Sequence, residues 1–319
     1  MKTVFLLTSQ QHTCSDNPIG SYHSLISGLK LNNVKIKTTG TCNLLGPEDE
    51  TITENEIVKT GKEADLIILF FVNIPQTEKC GDFHKEPYLS KALKIDRWEH
   101  TIFIDYYEYT WRNKLESYQP SYHTKLIFKC QKYFKREYTL WHKKWFYNMK
   151  PYPLSYFPLN KISFPEKKYD IFCSFPQMET GLRYHVVKLC EKLQRDFTII
   201  IKHDCTKEEY ISFIQASWIT LDGKGAGYIN NRFLEIIANR SLCVREKYQV
   251  EFYKDYTNEM IQEYNTIDEL EILLVNLLSN KNKIKGMENM AYEHYKSYHT
   301  SDKVVKYLLE ESLDTINLI

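Results

Sequence analysis

Short, continuous apolar runs separated by segments of helical spacing constrain this chain more than any other feature, and the rhythm occurs twice. In the first half the runs fall at residues 4–8, 34–38, 64–72 and 101–105, the third reading Ala64-Asp65-Leu66-Ile67-Ile68-Leu69-Phe70-Phe71-Val72. Strands buried on both faces read as unbroken apolar stretches, and helices between them cover the two faces of a parallel sheet. The spacing predicts intervening helices over 20–31, 54–63 and 88–94. A second series of strands is predicted at 169–172, 197–202, 218–221 and 242–244. Helices are predicted there over 180–193, 207–216, 231–238, 267–278, 285–298 and 301–312. The first of these carries Leu182, Val186, Leu189, Cys190 and Leu193 on one face.

Between the two series lies a break in composition. Residues 125–157 are dense in aromatic and basic side chains, prolines follow at Pro151, Pro153 and Pro158, and a charged stretch covers 161–168. Such a break marks a boundary between domains. The expected organisation is a first domain over 1–160, a second over 161–300, and a last helix over 301–319 that crosses back to the first. At 319 residues, with 43% hydrophobic and 26% charged residues, the chain is long enough for two cores and lacks the composition of a disordered protein. A net charge of +1, from 42 Lys and Arg against 41 Asp and Glu, gives no overall field for nucleic acid. No stretch nears the ~20 apolar residues of a membrane span, and the first apolar run is shorter than a signal-peptide core. The eight cysteines are scattered without a C-x-x-C pair, as buried thiols of a cytoplasmic protein would be.

The most informative segment is Thr220-Leu221-Asp222-Gly223-Lys224-Gly225-Ala226-Gly227-Tyr228-Ile229-Asn230-Asn231-Arg232-Phe233-Leu234-Glu235. A strand runs into a loop with Gly223, Gly225 and Gly227, where backbone can approach a ligand closely, and then into a helix capped at Asn230 or Asn231. The unpaired amides and positive dipole end of that helix suit a phosphate. Arg232 in the first turn adds a charged donor. Glu235 lies one turn on, facing the same way, and can accept hydrogen bonds from ribose hydroxyls. The glycine spacing is not G-x-G-x-x-G and no acidic residue directly follows the strand read at 242–244, which argues against a dinucleotide site.

Residues 225–246, with Asn-Arg-Phe-Leu-Glu-Ile-Ile-Ala-Asn at the centre, resemble the donor-site helix of GT-B glycosyltransferases, in the branch related to the spore-maturation glycosyltransferase-like proteins. Further phrases of that branch follow in order: Glu251-Phe252-Tyr253, Asp268-Glu269-Leu270 and His299-Thr300, with Tyr133-Phe134-Lys135-Arg136-Glu137 before the linker. The resemblance covers about residues 125–310. It implies an α/β fold of two Rossmann-like domains facing across a cleft. It also implies transfer of a sugar from a nucleotide-diphosphate donor to an acceptor that the sequence leaves unidentified, whether glycan, protein or lipid-linked molecule. It further implies that Glu235 holds the donor ribose and that Arg232 and Ser174 face the diphosphate. Lys202 and Arg183 are candidates for countering the same charge. Many retaining members carry two glutamates with seven residues between them; Gly227 stands where the first would be, as is common in this branch. A catalytically silent scaffold binding a glycan or protein, and a sugar-nucleotide epimerase, are the alternatives.

On the acceptor side His12 follows the first strand and Asp105 a later one, at the strand ends where such folds place ligands, and either could serve as general base. No metal is expected, because helix dipole and basic residues stabilise the leaving diphosphate in such folds. His203-Asp204-Cys205 are adjacent in sequence and cannot converge on one ion. Residues 125–150 allow an aromatic core with a solvated basic face, contact with an anionic membrane or acceptor, or, least favoured, stacking on nucleic acid.

Overall fold

The computed structural model describes residues 2–8, 21–40, 44–71, 91, 93–105, 129–136, 138, 140–156, 164–175, 181–223, 231–247 and 250–313. Two compact units emerge. One comprises residues 1–159, 250–253 and 300–319, the other 160–249 and 254–299.

The first unit is built on strands β1 (Thr3–Thr8), β2 (Lys35–Thr38), β3 (Glu50–Thr51), β4 (Leu66–Phe71), β5 (Thr101–Asp105), β6 (Lys132–Lys135) and β7 (Met149–Pro151). They pair in parallel in the order β3-β2-β1-β4-β5-β6-β7. The order reverses between β1 and β4, since successive strands run outward from that pair in both directions. Helices α1 (Ser21–Leu31), α2 (Ile57–Glu63), α3 (Leu140–Trp145) and, from the far end of the chain, α9 (Ser301–Leu313) belong to this unit. Phe5, Leu7, Ile67, Leu69, Phe103 and Tyr133 form the centre of its core, with Phe103 and Tyr133 stacked at 4.8 Å. Helix α9 rests on α1, where the Ser24 hydroxyl meets the Ser301 hydroxyl at 2.6 Å and Asn32 Nδ2 donates to the Asp302 carbonyl at 3.1 Å.

The second unit has a smaller sheet of β8 (Tyr169–Cys173), β9 (Ile199–Ile201), β10 (Ser217–Asp222), β11 (Leu242–Glu246) and β12 (Gln262–Tyr264). All pair in parallel, in the order β12-β11-β10-β8-β9, so the reversal lies between β8 and β10. Its helices are α4 (Leu182–Leu193), α5 (Lys207–Gln215), α6 (Asn231–Ala238), α7 (Ile267–Leu278) and α8 (Lys281–Tyr298). The predicted helical face of α4 is the one that enters the core, through Val186, Leu189, Cys190 and Leu193. Helix α8 begins four residues before its predicted start, because Asn280 accepts from the Lys283 amide and caps it.

The structure departs from the sequence pattern at four strands. β3, β7 and β12 are edge strands of two or three residues, too short to show periodicity. β6 falls in the aromatic and basic stretch. There Tyr133, Phe134, Tyr138 and Phe146 are buried, while Tyr147 is exposed. Lys135 and Arg136 are buried rather than solvated, which corrects the expectation of a basic outer face at these two positions. For Lys135 the cause is cross-strand pairing: it is the register partner of Asp105, and its ammonium lies 3.2 Å from that carboxylate. Among the described residues no helix is long and apolar enough to cross a membrane.

Candidate functional site

Open α/β sheets bind ligands beyond the carboxyl ends of their strands, at the point where strand order reverses. In the second unit that point is the gap between β8 and β10. Chain leaving β8 delivers Ser174 and Phe175, both buried, and chain leaving β10 delivers Asp222 and Gly223. The preceding residue of α4, Gly181, has φ 91, a conformation that disfavours any side chain, and it turns the chain so that Arg183 enters the first helical turn. The Arg183 guanidinium lies 5.7 Å from the centroid of the Phe175 ring. From α6 the Arg232 guanidinium lies 5.5 Å from the same ring. Two cations thus flank one buried aromatic. Gly223 keeps this arrangement open, since a Cβ there would meet the ring at 2.9 Å.

Helix α6 buries Phe233, Leu234, Ile236, Ile237 and Ala238, while Arg232 and Glu235, one turn apart, share its polar face. A buried charge on that face is costly unless something engages it. Arg232 lies over Phe175 and, at 5.9 Å, over Tyr210 of α5. Burial works against its charge, but the neighbouring Tyr210, Asp222 and Glu235 outweigh that and hold its pKa above the ordinary value. Burial raises the Tyr210 phenol well above its usual range, with Arg232 opposing. One terminal nitrogen of Arg232, Nη1, is buried and has no hydrogen-bond partner among the described residues. A buried donor without a partner is costly, so this nitrogen is a donor available to a ligand.

Glu235 is 5% exposed. Its Oε1 accepts from Lys207 Nζ at 2.7 Å. Lys207 is the first residue of α5, and that start is set by a capping box in which Thr206 accepts from the Glu209 amide at 3.2 Å and Glu209 accepts from the Thr206 amide at 2.8 Å. Behind these residues, Asp222, Arg245 and Glu263 occupy matching register positions on β10, β11 and β12, and Arg245 donates twice to Glu263 Oε1, at 3.0 and 2.6 Å.

The structure therefore brings together Ser174, Arg183, Arg232 and Glu235 around the β8–β10 gap. Lys202, after β9, is half-exposed; its Nζ donates to Glu209 at 3.3 Å and lies 5.5 Å from the Phe213 ring. Asn231 opens α6 as anticipated, though its side chain, together with Gly225 and Gly227, lies outside the described residues. His12 lies outside them too. Asp105 is fully buried, accepts from the Tyr133 hydroxyl at 2.9 Å and pairs with Lys135. That engagement ties β5 to β6 and leaves the carboxylate poorly placed to take a proton from a substrate. Among the described residues no group of three His, Cys, Asp or Glu could hold a metal ion; His203 pairs with Asp204 at 3.1 Å. Phe175, Lys207 and Tyr210 escaped sequence reasoning. Each sits inside an ordinary apolar or amphipathic stretch, and nothing local distinguishes it.

No protein-family model matches this sequence, and no curated protein matches it. Solved structures do. An alpha-glucosyltransferase in complex with UDP and a 13-mer DNA is similar with a TM-score of 0.61 at 10% identity, over 98% of this chain and 100% of that one. HepE of Anabaena, in complex with UDP and glucose, gives 0.59 at 10% identity over 99% and 100%. Sucrose-phosphate synthase from Thermosynechococcus elongatus gives 0.58 at 8% identity over the whole of both chains. Together with the two parallel sheets of seven and five strands, these likenesses define the class: the chain has the GT-B fold of glycosyltransferases.

Proposed function

We propose that this protein is a glycosyltransferase that takes a sugar from a nucleotide-diphosphate sugar and passes it to an acceptor hydroxyl on a glycan, protein or lipid-linked molecule. The observation that carries the proposal is the pair of charged residues sharing the polar face of α6, with Arg232 Nη1 unpartnered at the β8–β10 gap. Solved structures of this fold that hold UDP support it.

In this reading Arg232 and Arg183 engage the diphosphate, with the opening amides of α6 and the Ser174 hydroxyl as further donors. Glu235 accepts from the ribose hydroxyls. The acceptor oxygen attacks the anomeric carbon, the bond from that carbon to the diphosphate oxygen breaks, and the hydroxyl proton passes to a base. We propose His12 for that base, since it follows β1 in sequence and the first sheet reverses its order between β1 and β4. Negative charge growing on the diphosphate is met by the two guanidinium groups and the helix dipole rather than by a metal.

Calorimetric titration of UDP, ADP and GDP into the protein tests the donor site. At least one is expected to bind, and Arg232→Ala is expected to weaken it about tenfold or more, as loss of a charge-assisted hydrogen bond does. Slow release of free sugar from the matching nucleotide sugar, without acceptor, would accompany binding in an active transferase. Absence of binding by all three, or equal binding by wild type and Arg232→Ala, would refute the assignment.

A further inference from the structure

We infer that Lys207 is a positioning residue for Glu235, and that the pair makes the site selective for ribonucleotides over their 2′-deoxy counterparts. This rests on the reading of Glu235 as the ribose ligand. Among the described residues Lys207 is the one hydrogen-bonding partner of the Glu235 carboxylate, through Oε1 at 2.7 Å. The ammonium is itself held, lying 4.9 Å from the Tyr210 ring centroid, and its backbone is fixed by the Thr206–Glu209 capping box. Among the described residues no other hydrogen bond fixes the Glu235 side chain, so this contact orients the carboxylate and leaves Oε2 for a ligand.

Two consequences follow from charge. A carboxylate accepts at both oxygens, whereas a neutral acid must donate from one of them. Lys207 holds Oε1 at 2.7 Å, and the remaining carboxylate oxygen can accept from vicinal hydroxyls. Removing the 2′-hydroxyl from the ligand leaves part of an oriented, desolvated carboxylate without a donor, which is the arrangement that rejects an analogue lacking the group. Without Lys207 the carboxylate is free to turn, and the penalty for the missing hydroxyl shrinks.

The experiment uses the full chain and whichever of UDP, ADP and GDP binds most tightly, titrated beside its 2′-deoxy form and beside inorganic pyrophosphate. Wild type is expected to favour the ribonucleotide by about tenfold or more. Lys207→Met is expected to bring the ratio near one with pyrophosphate affinity unchanged, and Lys207→Arg to restore it. A Lys207→Met ratio equal to that of wild type overturns the inference while leaving the donor-site reading intact. So does a loss of pyrophosphate affinity as large as the loss for the ribonucleotide, because Lys207 would then be a phosphate ligand. Should Glu235→Ala also keep the full wild-type ratio, the ribose reading of Glu235 falls and the inference falls with it.

Discussion

Asp105 and Lys135 form a pair in which both side chains are fully removed from solvent, at matched positions of β5 and β6. Removing one member of such a pair leaves the other charge buried, which costs far more than the intact pair contributes. Asp105→Ala is therefore expected to lose about 3–5 kcal/mol of stability in urea denaturation. Asp105→Asn should lose less, since its amide oxygen still accepts from Tyr133. Wild-type stability in Asp105→Ala, coupled to loss of transfer activity, would return this carboxylate to the role of base. Glu235 stands in contrast: it too is buried, but among the described residues its one ion-pair partner, Lys207, is partly exposed and engages only Oε1. The same side-chain type is structural in one sheet and available for a ligand in the other, and the number of partners decides which.

At the scale of elements, the contact of α9 with α1 depends on Gly28. A Cβ at that position would lie 2.2 Å from the Ser301 carbonyl oxygen and 2.5 Å from Val305 Cγ2. Replacing glycine by alanine within a helix gains about 1 kcal/mol from propensity, yet the obstacle here is backbone, which cannot rotate aside. Overpacking of this kind costs about 1–3 kcal/mol, so Gly28→Ala is expected to lower the Tm. An unchanged or raised Tm would mean that the two helices part without penalty. Elements of this size were largely legible in sequence, because each buries a face whose period is written locally. Helix α6 and the helical face of α4 were read correctly for that reason. Edge strands β3, β7 and β12 were not, since two or three residues are too few to carry a period.

For the molecule as a whole, a net charge of +1 leaves little global repulsion, and pH dependence comes from individual buried groups. His294 of α8 is one. Burial pushes its pKa below the ordinary 6.5, and the Lys254 ammonium adds to this, while a hydrogen bond with the Lys254 backbone and the Asp255 carboxylate oppose it. Its ring packs against Tyr256 at 4.5 Å, Tyr298 at 4.9 Å and His299 at 5.7 Å. A depressed folded value means the unfolded chain takes up the proton first. The contribution to stability is present above about pH 6.5 and is lost as the pH falls through the folded value. Denaturation midpoints of wild type should thus decline more steeply between about pH 7 and pH 5 than those of His294→Gln. Identical slopes would remove His294 from the balance.

The sequence by itself determined the two series of parallel strands, the break between them, and a loop and helix with an arginine and a glutamate one turn apart. These follow from burial of each segment's own face and from helix geometry, both properties of neighbouring residues. Only the tertiary structure decided which side chains meet. Lys207 reaches Glu235 across 28 residues, Arg183 and Arg232 close on Phe175 from two helices, and Lys135 is drawn inside by Asp105. Such meetings depend on strand order and register, which bring the ends of β8 and β10 side by side. No local pattern of hydrophobicity records the order in which strands are laid into a sheet.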